Sequence, residues 1–140
     1  AKGEIMNIIS ARKVYEFVNI ISMDNKGRVT KAIVPGHKGK TYEVRISRKR
    51  NVMSAKCYCK SDNSDCKGNS NTICYHVGAA LLSSAAKLTP KVKIAFCNNK
   101  VDAQKLVNIA GKMFLLRSKQ SSKQVYVVVA QVLDSSELIC

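Results

Sequence analysis

The sequence has no tryptophan, two prolines, two histidines and only nine acidic residues among 140. Aromatic residues make up 6% of the chain, which leaves few rings on which unpaired bases can stack. No apolar run reaches the ~18 residues of a membrane helix, and the N-terminus lacks the apolar stretch and cleavage site of a secretory signal peptide. We therefore expect no membrane partner. The expected location is the cytoplasm, associated with the nucleoid or ribosomes, or the nucleus of a eukaryote.

Positive charge is what the sequence has in excess. Lys and Arg number 24, which gives a formal net charge of +15. Repulsion of this size weakens a compact state, so a polyanionic partner that neutralises it is expected. Nucleic acid is the commonest such partner and an anionic membrane surface is the second. The alternative without a partner is a solvated basic coat.

Four of the six cysteines fall within 18 residues, between Cys57 and Cys74. In an intracellular chain, clustered cysteines near a histidine indicate metal rather than disulfides. Cys57 and Cys59 share one side of an extended strand, and Cys74 and His76 directly precede an apolar helical stripe. Three cysteines and one histidine make a closed tetrahedral zinc site. We predict Zn²⁺ bound by Cys57, Cys59, Cys74 and His76, with Cys66 in the intervening loop as an alternative ligand or a spare thiol.

Periodicity around this motif predicts an α+β fold, with antiparallel β hairpins, a zinc-bound loop and a helix, followed by a C-terminal β-α-β-β unit. The N-terminal stretch 4–22 fits a helix or a strand, and a strand from about Val14 is favoured by its β-branched and aromatic content. The further elements expected up to the helix are strands at 28–34, 41–47, where apolar residues alternate, and 52–57, followed by a solvated polar loop at 60–71. A helix at 74–87 follows, which Pro90 stops. The residues expected on its inward stripe are Val77, Leu81, Ser84, Ala85 and Leu88.

The C-terminal part predicts a strand at 91–97, a helix capped by Asn98 or Asn99 with Asp102 in its first turn, and a hairpin of 113–117 with 125–133. The run 125–129 is apolar on both faces, which indicates a central strand. The expected domains are a zinc module with N-terminal strands over 1–89 and a β-α-β-β extension over 90–140. One continuous domain is the alternative.

The order of strand, C-x-C, polar loop, C-x-H and helix resembles the SWIM zinc finger. The preceding strands, with Tyr15, Gly27 and Tyr42, are similar to the usual lead-in of that family, and the resemblance covers roughly 11–88. It implies a DNA-binding or protein-binding module, of the kind found in transposases, chromatin-remodelling ATPases and some signalling proteins. Two features depart from the family: Cys66, and a loop without the proline and aromatic residues often found after the C-x-C.

Basic residues cluster at two hairpins, where they suit phosphate contact. The predicted nucleic-acid-binding residues are Lys38, Lys40, Arg45, Arg48, Lys49 and Arg50. A second cluster comprises Lys112, Arg117, Lys119 and Lys123.

We expect a zinc-stabilised basic protein that binds nucleic acid mainly through phosphates, with DNA favoured over RNA. The alternatives are an RNA- or ribosome-associated protein and a protein-interaction adaptor that docks or dimerises through its C-terminal half. No enzyme is expected, because four protein ligands leave zinc no position for water.

Overall fold

The computed structural model describes residues 6–87, 92–109 and 111–131. Within them the chain forms one mixed sheet with helices packed on it, which confirms the α+β prediction. The strands are β1 Asn19–Met23, β2 Val29–Pro35, β3 Thr41–Lys49, β4 Val52–Cys59, β5 Ser64–Asp65, β6 Val92–Cys97, β7 Lys112–Ser118 and β8 Gln124–Gln131. The helices are α1 Ile8–Val14, α2 Lys67–Asn71, α3 Tyr75–Lys87 and α4 Lys100–Ile109, with 3₁₀ turns at Tyr15–Phe17 and His37–Gly39.

The strand order is β1-β2-β3-β4-β7-β8-β6, and β5 pairs with the end of β4. The β4–β7 pair is parallel and the other pairs are antiparallel. Because β7 pairs directly with β4, the strands of the two predicted stretches, 1–89 and 90–140, join in one sheet.

The N-terminal stretch begins as a helix, so the strand predicted from Val14 was wrong; β1 starts only at Asn19. The side chain of Asn7 accepts a hydrogen bond from the Ser10 N–H at 3.1 Å and caps α1. Met6 and Ala11 are buried against Gly78 of α3, where a β-carbon would overlap the Met6 sulfur and press on the Ala11 methyl group. Packing against α3 therefore overrides the β propensity of this stretch.

Helix α3 covers one face of the sheet. Its predicted inward stripe is confirmed for Val77, Leu81, Ser84 and Ala85, which are all buried. The other two features predicted for this helix, the stripe residue Leu88 and the stop at Pro90, lie outside the described residues. On the sheet, the α3 side is lined by buried residues that alternate along β3 and β4: Val44, Ile46, Met53, Ala55 and Cys57.

Helix α4 packs on the opposite face, over β6, β7 and β8. Asn99 accepts a hydrogen bond from the Asp102 N–H at 2.9 Å, as predicted for the cap. Val127 of β8 belongs to the core beneath α3, whereas Val128 packs with α4. The run 125–129 is thus covered on both faces and lies between β7 and β6, which confirms the central strand. On the α4 side of the sheet, the side chains of Arg45, Lys49 and Lys56 on β3 and β4 remain exposed.

None of the helices in the described part of the chain combines the length and apolar character needed to cross a bilayer.

Candidate metal centre and basic surface

Four buried side chains converge where β4 meets α3. Cys57 projects from β4, Cys66 precedes α2, and Cys74 and His76 lie at the start of α3. Their ligand atoms all lie within 4.8 Å of one another, so the four residues can hold a metal ion. The structure therefore brings three of the predicted ligands together, with Cys66 as the fourth member of the cluster.

The spacing of these atoms suits a four-coordinate ion. The Nδ1 atom of His76 lies 3.8 Å from the Sγ atoms of both Cys57 and Cys66. Tetrahedral bonds of ~2.3 Å place neighbouring ligand atoms roughly 3.8 Å apart. The four cysteines between 57 and 74 are thiols in the structure, so their sulfurs remain available as ligands. The donor set and its spacing therefore fit a metal.

Strand pairing explains why Cys66 joins the cluster. β5 folds back on β4 so that Cys59 pairs with Ser64 and Tyr58 pairs with Asp65. The next antiparallel pair is Cys57 with Cys66, and the Cys66 N–H donates to the Cys57 carbonyl at 3.0 Å. The loop predicted at 60–71 is therefore partly ordered. Asn63 has a positive φ of 54° at its turn, a conformation that asparagine tolerates well, and this residue type is the signal that could have indicated a hairpin within the predicted loop.

Cys59 lies outside the four-atom cluster, although it is buried on the same face of β4 as Cys57. It pairs across β3 with Tyr42, and its thiol makes hydrogen-bonding contact with Tyr42 and Asp62. The predicted set and the observed cluster thus differ by one exchange, Cys66 for Cys59.

The three clustered thiols are strongly coupled. Hydrogen bonds from Cys57 and Cys74 lower the pKa of the Cys66 thiol. Donation to Cys66 is the main reason that the pKa of Cys57 is raised, and burial raises the pKa of Cys74 to about 12. Metal binding requires these cysteines as thiolates, so a cation bound here would displace the protons that the three neighbouring sulfurs share.

Two phenol rings flank the His76 imidazole. The Tyr42 ring stacks on it with centroids 3.8 Å apart, and the Tyr75 ring lies at 4.1 Å with an interplanar angle of 38°. Burial raises the pKa of both tyrosines, so both phenols are neutral near pH 7. Among the described residues the buried Nε2 of His76 has no hydrogen-bond partner. The imidazole is thus held by stacking, with Nδ1 directed at the sulfurs.

The six basic residues predicted to bind nucleic acid do not share one surface. Arg45 and Lys49 lie exposed on the β3 face opposite α3, and Arg50 follows in the turn with a φ of 56°. Arg48 points to the other face, where its guanidinium donates to the Val29 carbonyl at 2.5 Å. Lys40 lies near the metal centre.

Lys40 forms an ion pair with Asp62 at 2.7 Å. Lys38 lies exposed in the loop before β3 with a positive φ of 56°. These two lysines therefore belong to the end of the molecule that carries the cysteines.

A row of cations crosses the exposed side of the sheet. Arg45 of β3 pairs with Lys31 of β2 on one side and with Lys56 of β4 on the other. Glu43 is the acid that contacts this row, with ion pairs to Arg45 at 2.6 Å and to Lys31 at 3.6 Å. Like charges directly opposite each other destabilise a sheet, and the Glu43 carboxylate offsets part of this repulsion at Lys31 and Arg45.

A basic groove extends the row towards β7. Its lining consists of Ser47, Arg48, Lys49, Arg50, Val52, Ser54 and Arg117, with no acidic side chain among these residues. Arg117, from the second predicted cluster, reaches the groove because β7 pairs Arg117 with Ser54 of β4. The cations of the row and the groove that share the exposed side will be called the basic face: Lys31, Arg45, Lys49, Arg50, Lys56 and Arg117.

Comparison with known proteins gives no relative on which to base a function: no family model, curated protein or solved structure matches the chain.

Proposed function

We propose that this protein is a zinc-stabilised nucleic-acid-binding protein. In this proposal zinc holds the junction of β4 and α3, and the basic face contacts phosphates. The observation that carries the proposal is the row in which Arg45 lies between Lys31 and Lys56, directly beside a groove lined by Lys49, Arg50 and Arg117.

Zinc is favoured by the chemistry of the donor set. Three sulfurs and one imidazole are soft ligands, which suit zinc better than magnesium or calcium. Cys57, Cys66, Cys74 and His76 would complete a tetrahedron and leave no position for water, as in structural zinc sites. We therefore assign the ion a structural role and propose no hydrolytic activity.

The same arrangement supports a relation to the SWIM zinc finger. Cys57 lies on a strand and Cys74-Tyr75-His76 leads into a helix, as that pattern requires. In the proposed variant Cys66 replaces Cys59 as a ligand, because the β4–β5 hairpin places Cys66 beside Cys57, where the Cys66 N–H donates to the Cys57 carbonyl. The resemblance favours DNA as the first ligand to test.

Phosphate contact follows from the charge distribution. The basic face is nearly unneutralised, since Glu43 supplies its carboxylate to Lys31, Arg45 and also Lys60. A nucleic-acid backbone would relieve the repulsion across the row, with Arg bridging phosphate oxygens and Lys acting as a point charge. Contacts of this kind carry no sequence information, so weakly specific binding is proposed.

The test is fluorescence anisotropy of the zinc-loaded chain with duplex DNA and with hairpin RNA at several salt concentrations. We expect log K to fall linearly with log salt, with a slope of about −0.9 for each phosphate contacted on DNA. The tighter ligand at matched salt decides between a DNA-binding and an RNA-associated protein.

A matched pair of variants tests whether nucleic acid binds at the basic face. Lys56→Glu/Arg117→Glu reverses two charges on the basic face, and Arg12→Glu/Lys13→Glu reverses two exposed charges on α1, which packs on α3. The first variant should weaken binding and reduce the salt slope, while the second should change both far less. Equal losses would remove the basic face from the proposal. No binding at low salt, together with a dimer in light scattering, would favour a protein-interaction adaptor.

A further inference from the structure

The outer edge of β4 is divided between two partners. Residues 52–55 pair with β7, and Tyr58 and Cys59 pair with β5. Cys57 lies between these two segments. Its carbonyl accepts from the Cys66 N–H at 3.0 Å, but its own N–H needs an acceptor from outside the two strand pairings. A buried backbone group that lacks such a bond would be costly, and here the backbone in question carries a metal-ligating side chain.

The side chain of Gln120 supplies the acceptor for this N–H and a second donor to the carbonyl. Its Oε1 accepts from the Cys57 N–H at 2.8 Å, and its Nε2 donates to the Cys57 carbonyl at 2.9 Å. A strand residue would exchange the same two bonds with its partner in an antiparallel pair. Gln120 itself is held in the turn after β7, where its N–H donates to Ser118 Oγ at 3.0 Å.

Asn69 connects this amide to the other two cysteines. It is fully buried, and its Nδ2 donates to Gln120 Oε1 at 2.5 Å. Its Oδ1 accepts from the Cys74 N–H at 3.3 Å, and its own N–H donates to the Cys66 sulfur. Gln120 and Asn69 together therefore contact the backbone or sulfur of all three clustered cysteines.

We propose that Gln120 is a positioning residue of the metal centre. It fixes the Cys57 thiol through the backbone of that residue, so that metal affinity depends on a side chain 63 positions away in the C-terminal hairpin. The inference rests on the proposed function only in taking the four-residue cluster as a zinc site. Nucleic-acid binding does not enter it.

The variant Gln120→Met tests this role, since methionine keeps the approximate length of the side chain and removes its amide. Gln124→Met is the matched control, because Gln124 is an exposed glutamine at the start of β8. The zinc affinity of the whole chain is measured by competition with a chromogenic chelator. We expect Gln120→Met to weaken the zinc affinity by about 10- to 100-fold, as changes to residues that hold metal ligands in place usually do. Gln124→Met should leave the zinc affinity unchanged.

The absorption spectrum of the cobalt-loaded chain distinguishes a role of Gln120 in positioning Cys57 from a role in the stability of the whole fold. We expect the thiolate-to-cobalt and d–d bands to shift in Gln120→Met and to remain in place in Gln124→Met, because only the former releases the backbone of Cys57. Unchanged zinc affinity and unchanged cobalt bands in Gln120→Met, with only a lower melting temperature, would overturn the proposal. A wild-type chain that binds no zinc would instead overturn the metal centre itself.

Hydrogen exchange of the wild type provides the decisive measurement if Gln120→Met does not fold. Because coupling between two equilibria is reciprocal, zinc should slow exchange of the Cys57 amide, whose acceptor is Gln120, by tenfold or more relative to the chelator-treated chain. Equal exchange of that amide with and without zinc, in a chain that does bind zinc, would overturn the role of Gln120.

Discussion

The imidazole of His76 lies almost parallel to the phenol ring of Tyr42, with centroids 3.8 Å apart and an interplanar angle of 19°. The two rings come from different elements, Tyr42 from β3 and His76 from α3. Their stacking therefore fixes the angle at which the imidazole enters the cysteine cluster. Gly36 lies beside both rings: a β-carbon there would overlap the Tyr42 ring and would lie 3.4 Å from Nε2 of His76.

Gly36→Ala should consequently disturb the metal centre from outside it. The added methyl group forces the Tyr42 ring, and with it His76, out of position. We expect a loss of about 1–3 kcal/mol in the free energy of unfolding, typical of overpacking, together with weaker zinc binding. Chemical denaturation and chelator competition measure the two effects. In the double variant Gly36→Ala/Tyr42→Ala the loss should be smaller than the sum of the single losses; strict additivity would contradict the mechanism.

Cobalt substitution decides which sulfurs bind the ion. Cys66→Ser removes a ligand of the observed cluster, so the thiolate-to-cobalt absorption should fall by roughly a third, since two of three thiolates remain. Cys59→Ser should leave that absorption unchanged, because the Cys59 thiol contacts Tyr42 and Asp62 outside the cluster. The reverse result would restore the ligand set expected from the C-x-C and C-x-H spacing.

The features that the sequence predicted correctly depend mainly on residues that are close together in the chain. Alternating apolar residues marked β3, the spacing of Asn99 and Asp102 marked the start of α4, and the apolar run 125–129 marked the central strand. Each of these signals lies within a few residues, where pleat, helix period and capping act directly.

What the sequence did not predict depends on contacts between distant segments. From the sequence, Asn69 is predicted to be one more polar residue of a solvated loop. In the structure it is fully buried, and its side chain donates a hydrogen bond to Gln120, 51 positions away. Cys66 became a neighbour of Cys57 only through the register of β5. The helix at the N-terminus likewise depends on packing against Gly78.

The cation row predicts that a substitution which relieves its repulsion raises the stability of the fold and lowers the affinity for nucleic acid. Lys56→Glu places a carboxylate directly opposite Arg45, where the structure has two like charges. We expect the free energy of unfolding to rise by roughly 0.2–1 kcal/mol, the usual range for a cross-strand pair, while affinity for nucleic acid falls. Urea denaturation and anisotropy report the two changes. Lys105→Glu, an equal charge change at an exposed position of α4, is the control and should raise stability less.

Acid should destabilise the protein partly through Glu43. Burial raises the pKa of this carboxyl, but the hydrogen bond and charge of Arg45 and the charges of Lys31 and Lys60 outweigh it, so the net pKa lies below its usual value. A carboxyl with a lowered folded-state pKa contributes stability that is present above its unfolded pKa of about 4.3 and is lost as the pH falls through the folded value. Glu43→Gln removes this contribution.

We therefore expect Glu43→Gln to be less stable than the wild type at pH 7 and the difference to shrink below about pH 4.3, where the unfolded carboxyl takes up its proton. Urea denaturation of both chains across this range, in excess zinc, provides the measurement. Acid also protonates the metal ligands, but this loss is common to both chains and cancels in their difference. A difference that stays constant down to pH 3 would show that Glu43 is not held ionised by the row. In that case the ion pairs of Glu43 with Lys31 and Arg45 would leave its pKa at the unfolded value and would contribute no pH-dependent stability.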